Sequence, residues 1–300
     1  MVKTLLDDPD FYPKKGKDDR ESTAWSIAYS QYNKSKKRKK KSFNMKDYRT
    51  AQKPDLVWFF VYNTLMSTLS IIMLTNTVNE DIFKMTQHAL DSLKQSIGSE
   101  NFNVVLVESN KEHSWNYNHV NFYLKPPVDF NYNTYLNIAI ENCDSDYICI
   151  SNNDVNFHKD WWQKLEKAMI SKNLDTASPR SPTEQKGIVS HAEIKHRYTP
   201  DCVIREGFEL IVNFCGWCWV MKKEVKDWLF PLDEQFSFFF QDNDVIMRLK
   251  QKGCKHGLVG GSKVNHFGQS SHGIFKSRED WYKNTFGLEK AFIEKWRNYL

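Results

Sequence analysis

No glycine-rich phosphate loop is present: neither a G-x-G-x-x-G nor a Walker pattern follows any strand-like segment, which argues against a dinucleotide dehydrogenase or a P-loop NTPase. Cysteine is scarce, with six in 300 residues, too few for a disulfide scaffold. Glycine (12) and proline (9) are sparse, while 40% of residues are hydrophobic and 26% charged. That composition excludes a collagen, a mostly disordered chain and a polytopic membrane protein. Residues 1–10 carry three acids and no apolar h-region, so no secretory leader is expected, and reduced thiols in a cytosol are the expectation. Residues 56–74 run nineteen positions without a formal charge after a basic stretch, which resembles a signal anchor. Asn63, Thr64, Ser67, Thr68 and Ser70 interrupt it, and a helix over about 54–66 leading into a first core strand is the better reading.

What is present begins with a charge imbalance. Residues 1–53 hold 15 Lys/Arg against 7 Asp/Glu, a net of +8, and residues 54–300 hold 27 against 30, a net of −3. Seven of the eight residues 34–41 are basic, Lys36, Lys37, Arg38, Lys39 and Lys40 among them. Such a run is either a solvated arm or a contact for a polyanion, nucleic acid or anionic lipid, because clustered cations release counterions from phosphates.

From Ser67 onward, apolar strands alternate with amphipathic helices. Strand-like runs over 69–74, 102–107, 121–124 and 147–150 enclose helical patterns over 80–97 and about 132–141. Continuous apolar strands between helices imply an α/β fold, a mostly parallel sheet covered on both faces, with ligands at the carboxyl ends of its strands. Polar clusters stand at those ends: Thr75-Asn76, Glu108-Ser109-Asn110 and Asn152-Asn153-Asp154. Without a glycine loop, bound phosphates need another positive charge, usually a metal ion held by a strand-end carboxylate. Asp154 stands where that ligand belongs. The same tripeptide also reads as a turn before a helix starting near His158, with Asp154 or Asn156 as its cap.

The second half adds an aromatic strand with a glycine over 213–221, a helix over about 223–228, and a helical run over 245–252 after Gln241-Asp242-Asn243-Asp244. A last strand, 257–264, rises into Asn265-His266-Phe267-Gly268. In order, the motifs are L-S-I-I-M-L-T-N, V-V-L-V-E-S-N, Y-I-C-I-S-N-N-D-V, C-G-W-C-W-V-M-K-K-E-V, F-Q-D-N-D-V-I-M-R-L and V-N-H-F-G. Over about 67–271 this series resembles the GT-A glycosyltransferases, family 2 in particular. Their order is a DxD-type strand end, a glycine-and-aromatic acceptor strand, an ED-x-D-L helix start and a late V-x-H.

The resemblance implies a GT-A, Rossmann-like fold and a glycosyltransferase, hexosyl or pentosyl, that inverts the anomeric centre. Thr75, Asn76, Glu108, Asn152 and Asn153 would bind the nucleotide sugar, with the Glu108 carboxylate accepting from a uracil N–H of a UDP donor. Asp154 and His266 would hold Mn2+ or Mg2+. Asp242 would be the general base on the acceptor hydroxyl. Asp244 is expected to cap the following helix. Two departures stand out: Asn152-Asn153-Asp154 offers one charged metal ligand where the family often has two or three, and Gln241 replaces the first acid of the ED pair. Cys215-x-x-Cys218 lacks a second pair at zinc spacing and reads as small strand residues. Alternation places Trp217 and Trp219 on one face, as an acceptor wall or as core. Trp161 and Trp162 are expected to anchor a helix, and His191, His196 and His256 to lie on the surface.

The expected organisation is a basic extension over 1–53 and a GT-A domain over 54–300, its nucleotide-sugar half at about 67–170 and its acceptor half at about 171–300. For the acceptor, a hydroxymethylated base in bacteriophage DNA fits the basic arm of a leaderless cytoplasmic enzyme. The alternatives are a surface glycan built at the inner membrane face, with the aromatic segment 279–300 packing on the body or touching lipid, and a non-catalytic nucleic-acid-binding protein on the same fold.

Overall fold

The computed structural model describes residues 69–97, 102–182, 190–268 and 286–299. The basic run with Lys36, Lys37, Arg38, Lys39 and Lys40, and the helix expected over about 54–66, lie outside the described residues.

Apolar residues at every position of a short segment are satisfied only when both faces of a strand are covered. β1 (Leu69–Thr75) shows this arrangement. Leu69, Ile71 and Met73 point into one core cluster and Ile72 into a second. The same division recurs in β2 (Phe102–Glu108), where Val104 and Leu106 face the first cluster and Val105 and Val107 the second. In β4 (Tyr147–Ser151), Cys149 is set against Ile148 and Ile150. α1 (Glu80–Ile97) presents Ala89, Leu90 and Leu93 to the first cluster. There it meets α3 (Trp161–Lys172), whose Trp161 and Trp162 are fully buried anchors. α2 (Tyr132–Ala139) lies on the other face, continued by a 3-10 turn over Ile140–Asn142. Its Asn131 N-cap accepts from the Thr134 N–H at 3.2 Å.

The remaining elements are β3 (Phe122–Leu124), β5 (Val155–Phe157), β6 (Thr176–Arg180), α4 (His191–Arg197), β7 (Ile204–Glu206), β8 (Cys218–Lys222), α5 (Lys223–Leu229), α6 (Gln241–Gln251), β9 (His256–His266) and α7 (Phe286–Trp296). The sheet runs β3-β2-β1-β4-β8-β6-β9-β5, with β7 also on β9. β3, β2, β1 and β4 are mutually parallel, as are β6 and β9. β8 enters antiparallel between β4 and β6, and β5 and β7 pair antiparallel with β9. The fold is α/β, a mixed, mostly parallel sheet flanked by helices. Among the described residues no helix is long and apolar enough to cross a membrane.

Several expectations need correction. Asp154 and Asn156 cap no helix: the chain bends at 152–154 into β5, and α3 starts at Trp161 behind Asp160. Trp217 and Trp219 do not share a face. The chain turns before β8, with the Cys218 N–H donating to the Cys215 carbonyl, so alternation starts only at Cys218. Trp217 packs beside the first cluster while Trp219 is buried in the second, 5.2 Å from the Phe214 ring. Asp244 lies inside α6 rather than capping it, and holds α7 instead: it accepts from Trp296 Nε1 at 2.8 Å and from Lys295 Nζ at 2.6 Å. Of the C-terminal segment, α7 packs on the body through Phe292 and Trp296. His196 and His256 are buried, not superficial.

Candidate active site

Register puts the strand ends level: Thr75 is the partner of Glu108, and Met73 the partner of Ser151. Beyond them the Thr75 hydroxyl is engaged by Thr77 Oγ1 at 2.9 Å, Thr86 Oγ1 at 3.1 Å and Asn153 Nδ2 at 3.1 Å. Asn153 also donates to Thr86 Oγ1 at 2.9 Å, so the Thr75 and Asn153 side chains tie β1, α1 and the end of β4 together. Glu108 is 0% exposed. Its Oε1 accepts from the backbone N–H groups of Thr77 (3.0 Å) and Asn110 (2.7 Å), which clamps the loops after β1 and β2. Its Oε2 is sealed from solvent without a hydrogen bond. Asn76 is the exposed member of the set.

Asp154, Asn152 and His266 meet because β5 pairs with β9, Val155 opposite His266. His266 Nε2 lies 3.4 Å from Asp154 Oδ1 and 3.3 Å from Asn152 Nδ2, and Asp154 is 1% exposed. Among the described residues no group of three or more His, Cys, Asp or Glu side chains could hold a metal ion. One carboxylate and one imidazole this close nevertheless suit a divalent ion that takes its other ligands from a substrate diphosphate, the usual mode for Mg2+. The donor set fits a substrate-shared ion and not a self-sufficient metal site. The Trp217 indole lies flat on the His266 ring, centroids 5.1 Å apart at 8°, and meets His196 edge-on at 5.9 Å.

Asp242 sits in the first turn of α6. Before it, Phe240 adopts a left-handed conformation (φ 64°), which a bulky residue keeps only where packing imposes it. That packing is the third core cluster, with the Phe240 and Phe292 ring centroids 5.4 Å apart. The Asp242 carboxylate lies directly over Gly216: a Cβ there would stand 2.0 Å from Oδ2 and 2.4 Å from Cγ. Only glycine leaves room for this approach. Burial pushes the Asp242 carboxyl up to about 6, and none of the described residues offers it a compensating ion pair. A partly exposed carboxylate lining a cleft, its pKa raised to about 6, is suited to taking a proton from a hydroxyl.

Asp242, Gly216, Trp217 and His266 line one cleft of about 330 Å³, together with His196, Arg197 and Ile211. Sequence reasoning missed Gly216 as the seat of Asp242, though a glycine between aromatic residues was its visible signal. His196, expected on the surface, lines the cleft instead. The ring accepts from the Ser181 N–H at Nε2 (2.7 Å) and faces Cys215 Sγ through Nδ1 (3.4 Å), while burial lowers its pKa to about 4. Cys218 lies 3.8 Å from Cys149, sulfur to sulfur; all six cysteines are free.

Residues 70–229 match the family model described as glycosyl transferase family 2. Asp154 and Gly216 fall inside that match, and Asp242 and His266 beyond it. Among solved structures the chain is similar to S. aureus TarS 1–349, at 11% identity and a TM-score of 0.52, over 75% of this chain and 65% of that one. That likeness shows the GT-A fold, and the chain spans about two thirds of the length of the TarS fragment. No curated protein matches the sequence.

Proposed function

Because the chain belongs to glycosyl transferase family 2, we propose that its cleft moves a sugar from a UDP-type donor to an acceptor hydroxyl, with inversion, and that Asp242 is the general base. The observation carrying this reading is the Asp242 carboxylate seated over Gly216 in the cleft that His266 also lines. In the reaction, the acceptor hydroxyl gives its proton to Asp242 as its oxygen forms a bond to the anomeric carbon. The bond from that carbon to the donor phosphate breaks, and its electron pair leaves on the nucleoside diphosphate. Asp154 and His266 would hold Mn2+ or Mg2+, which when bound neutralises charge on the departing diphosphate. Asn76, exposed at the end of β1, and the loops clamped by Glu108 supply the nucleoside side, in the half over about 67–170; the acceptor enters from the half over about 171–300.

For the acceptor we favour a hydroxymethylated base in bacteriophage DNA, on the strength of the seven cations within residues 34–41. Among the described side chains of α7, Leu288, Phe292, Ile293 and Trp296, which a lipid-facing role would need, are spent on the third core cluster. The test combines calorimetric titration of UDP, with and without Mn2+, and transfer from labelled UDP-sugars into hydroxymethylated DNA. Metal-dependent binding and label in the polymer are expected. Equal UDP affinity without metal would remove Asp154 and His266 from the metal role, and label entering a glycan but not DNA would replace the acceptor.

A further inference from the structure

Arg197 ends α4 and lines the cleft with Asp242 and Trp217, yet it is only 9% exposed. Among the described residues its guanidinium makes no hydrogen bond and no ion pair, while its backbone carbonyl accepts from Arg180 Nη1 at 2.9 Å. Arg180 shows what a structural arginine looks like here: Nε donates to the Gly260 carbonyl (3.0 Å) and Nη2 pairs with Asp201 at 2.6 Å. Glu193, one turn before Arg197 and also facing the cleft, is instead committed to the start of α4, accepting from the Ser190 N–H at 2.8 Å. Arg197, nine-tenths buried as a residue, keeps its charge, and no anion among the described residues compensates it. Its fork of donors matches a phosphate oxyanion. Ile211, a β-branched residue at φ 69° and 48% exposed, lines the same cleft.

The position of Arg197 separates it from the donor diphosphate. The cleft it lines holds Asp242 but none of Thr75, Asn76, Glu108 and Asp154, the residues given to the donor, and His266 alone is common to both. Building on the glycosyl-transfer reading, we infer that Arg197 forms an oxyanion subsite in the acceptor half of the cleft, so that the acceptor carries a phosphate close to the hydroxyl that Asp242 deprotonates. The subsite selects phosphate-bearing acceptors over neutral ones and gives the cleft a requirement separate from the basic residues 34–41.

The experiment uses the full chain saturated with UDP and Mn2+, so that the diphosphate position is filled, and titrates inorganic phosphate at constant ionic strength. Wild type is expected to bind phosphate under these conditions. Arg197→Gln should weaken that binding at least tenfold with UDP affinity unchanged. Arg197→Lys, which keeps the charge without the fork, should weaken it several-fold and serves as the reporter if the glutamine variant does not fold. Equal phosphate affinity in wild type and variants would overturn the subsite. Phosphate binding that UDP abolishes would overturn its placement on the acceptor side. Failure of UDP itself to bind would instead count against the transfer reading, and the variants titrated without UDP would still test Arg197 as an anion site.

Discussion

As the proposed base, Asp242 combines two properties that normally oppose each other, a charge its chemistry would require and a setting that resists charge. Its carboxyl is raised to about 6 by burial, so turnover should climb as pH rises through about 6 and level off above 7. The sign for stability is opposite. A carboxyl raised above its unfolded value of about 4 stabilises the fold at low pH, and that contribution is lost as pH rises through the folded pKa. Asp242→Asn should therefore lower turnover by roughly 10²-fold or more while making the protein more stable at pH 8, by up to about 3 kcal/mol, and hardly more stable at pH 4. Denaturant melts at the two pH values beside a rate assay check all three statements. A second test acts on the seat rather than the acid. Gly216→Ala puts a methyl 2.0 Å from Oδ2, and the carboxylate has to move by about the distance that costs 10² in rate. The expected variant folds, binds UDP normally and transfers slowly; wild-type turnover would show that Asp242 works from another position. Asp154 was legible at a strand end, whereas Asp242 and His266 stood out only through the resemblance to family 2; the structure sets His266 beside Asp154 and in one cleft with Asp242. Arg197 was not legible, since an arginine without a partner looks like any other until its burial is known.

At the scale of elements, β1 and α1 follow from periodicity alone, one buried on both faces and the other carrying a single apolar stripe. The starts of α3 and β8 do not. Left-handed Asp160 and the turn at 215–218 are local backbone choices that leave little trace in hydrophobic pattern. α7 is the element whose role is least visible from its own sequence. It grips α6 through Lys295, which bridges Asp233 at 2.8 Å and Asp244 at 2.6 Å, and through Phe292 against Phe240. Phe292→Ala should cost about 3 kcal/mol of stability. Because Phe240 sets the entry into α6, the same variant should also lower kcat more than it changes UDP affinity. If kcat were unchanged in the folded fraction, α7 would be a passive cover.

Over the whole molecule, charge and chemistry are segregated, +8 within residues 1–53 and −3 in the remainder. The two should therefore be separable by experiment. Neutralising the seven cations of residues 34–41 is expected to raise the KM for DNA and flatten its salt dependence, by up to about seven units of log–log slope if every one contacts phosphate. The KM for the sugar donor should hardly move. An unchanged salt slope would make the run a solvated tail, and a slope that changes with anionic vesicles but not with DNA would point to a membrane-bound glycan. The fold class was readable at this scale because consecutive apolar strands leave few alternatives; the sharing of β9 among β5, β6 and β7 was not, since it depends on pairings far apart in sequence. The position of α7 also dictates a timetable. A ribosome releases the chain from the amino end, at about 5–20 residues per second. The strand ends of β1, β2 and β4 emerge early, whereas the packing that fixes Phe240, and with it the proposed base, waits for Phe292 and Trp296. A growing chain, or one ended before Phe292, can thus assemble the strand ends without the proposed base in place.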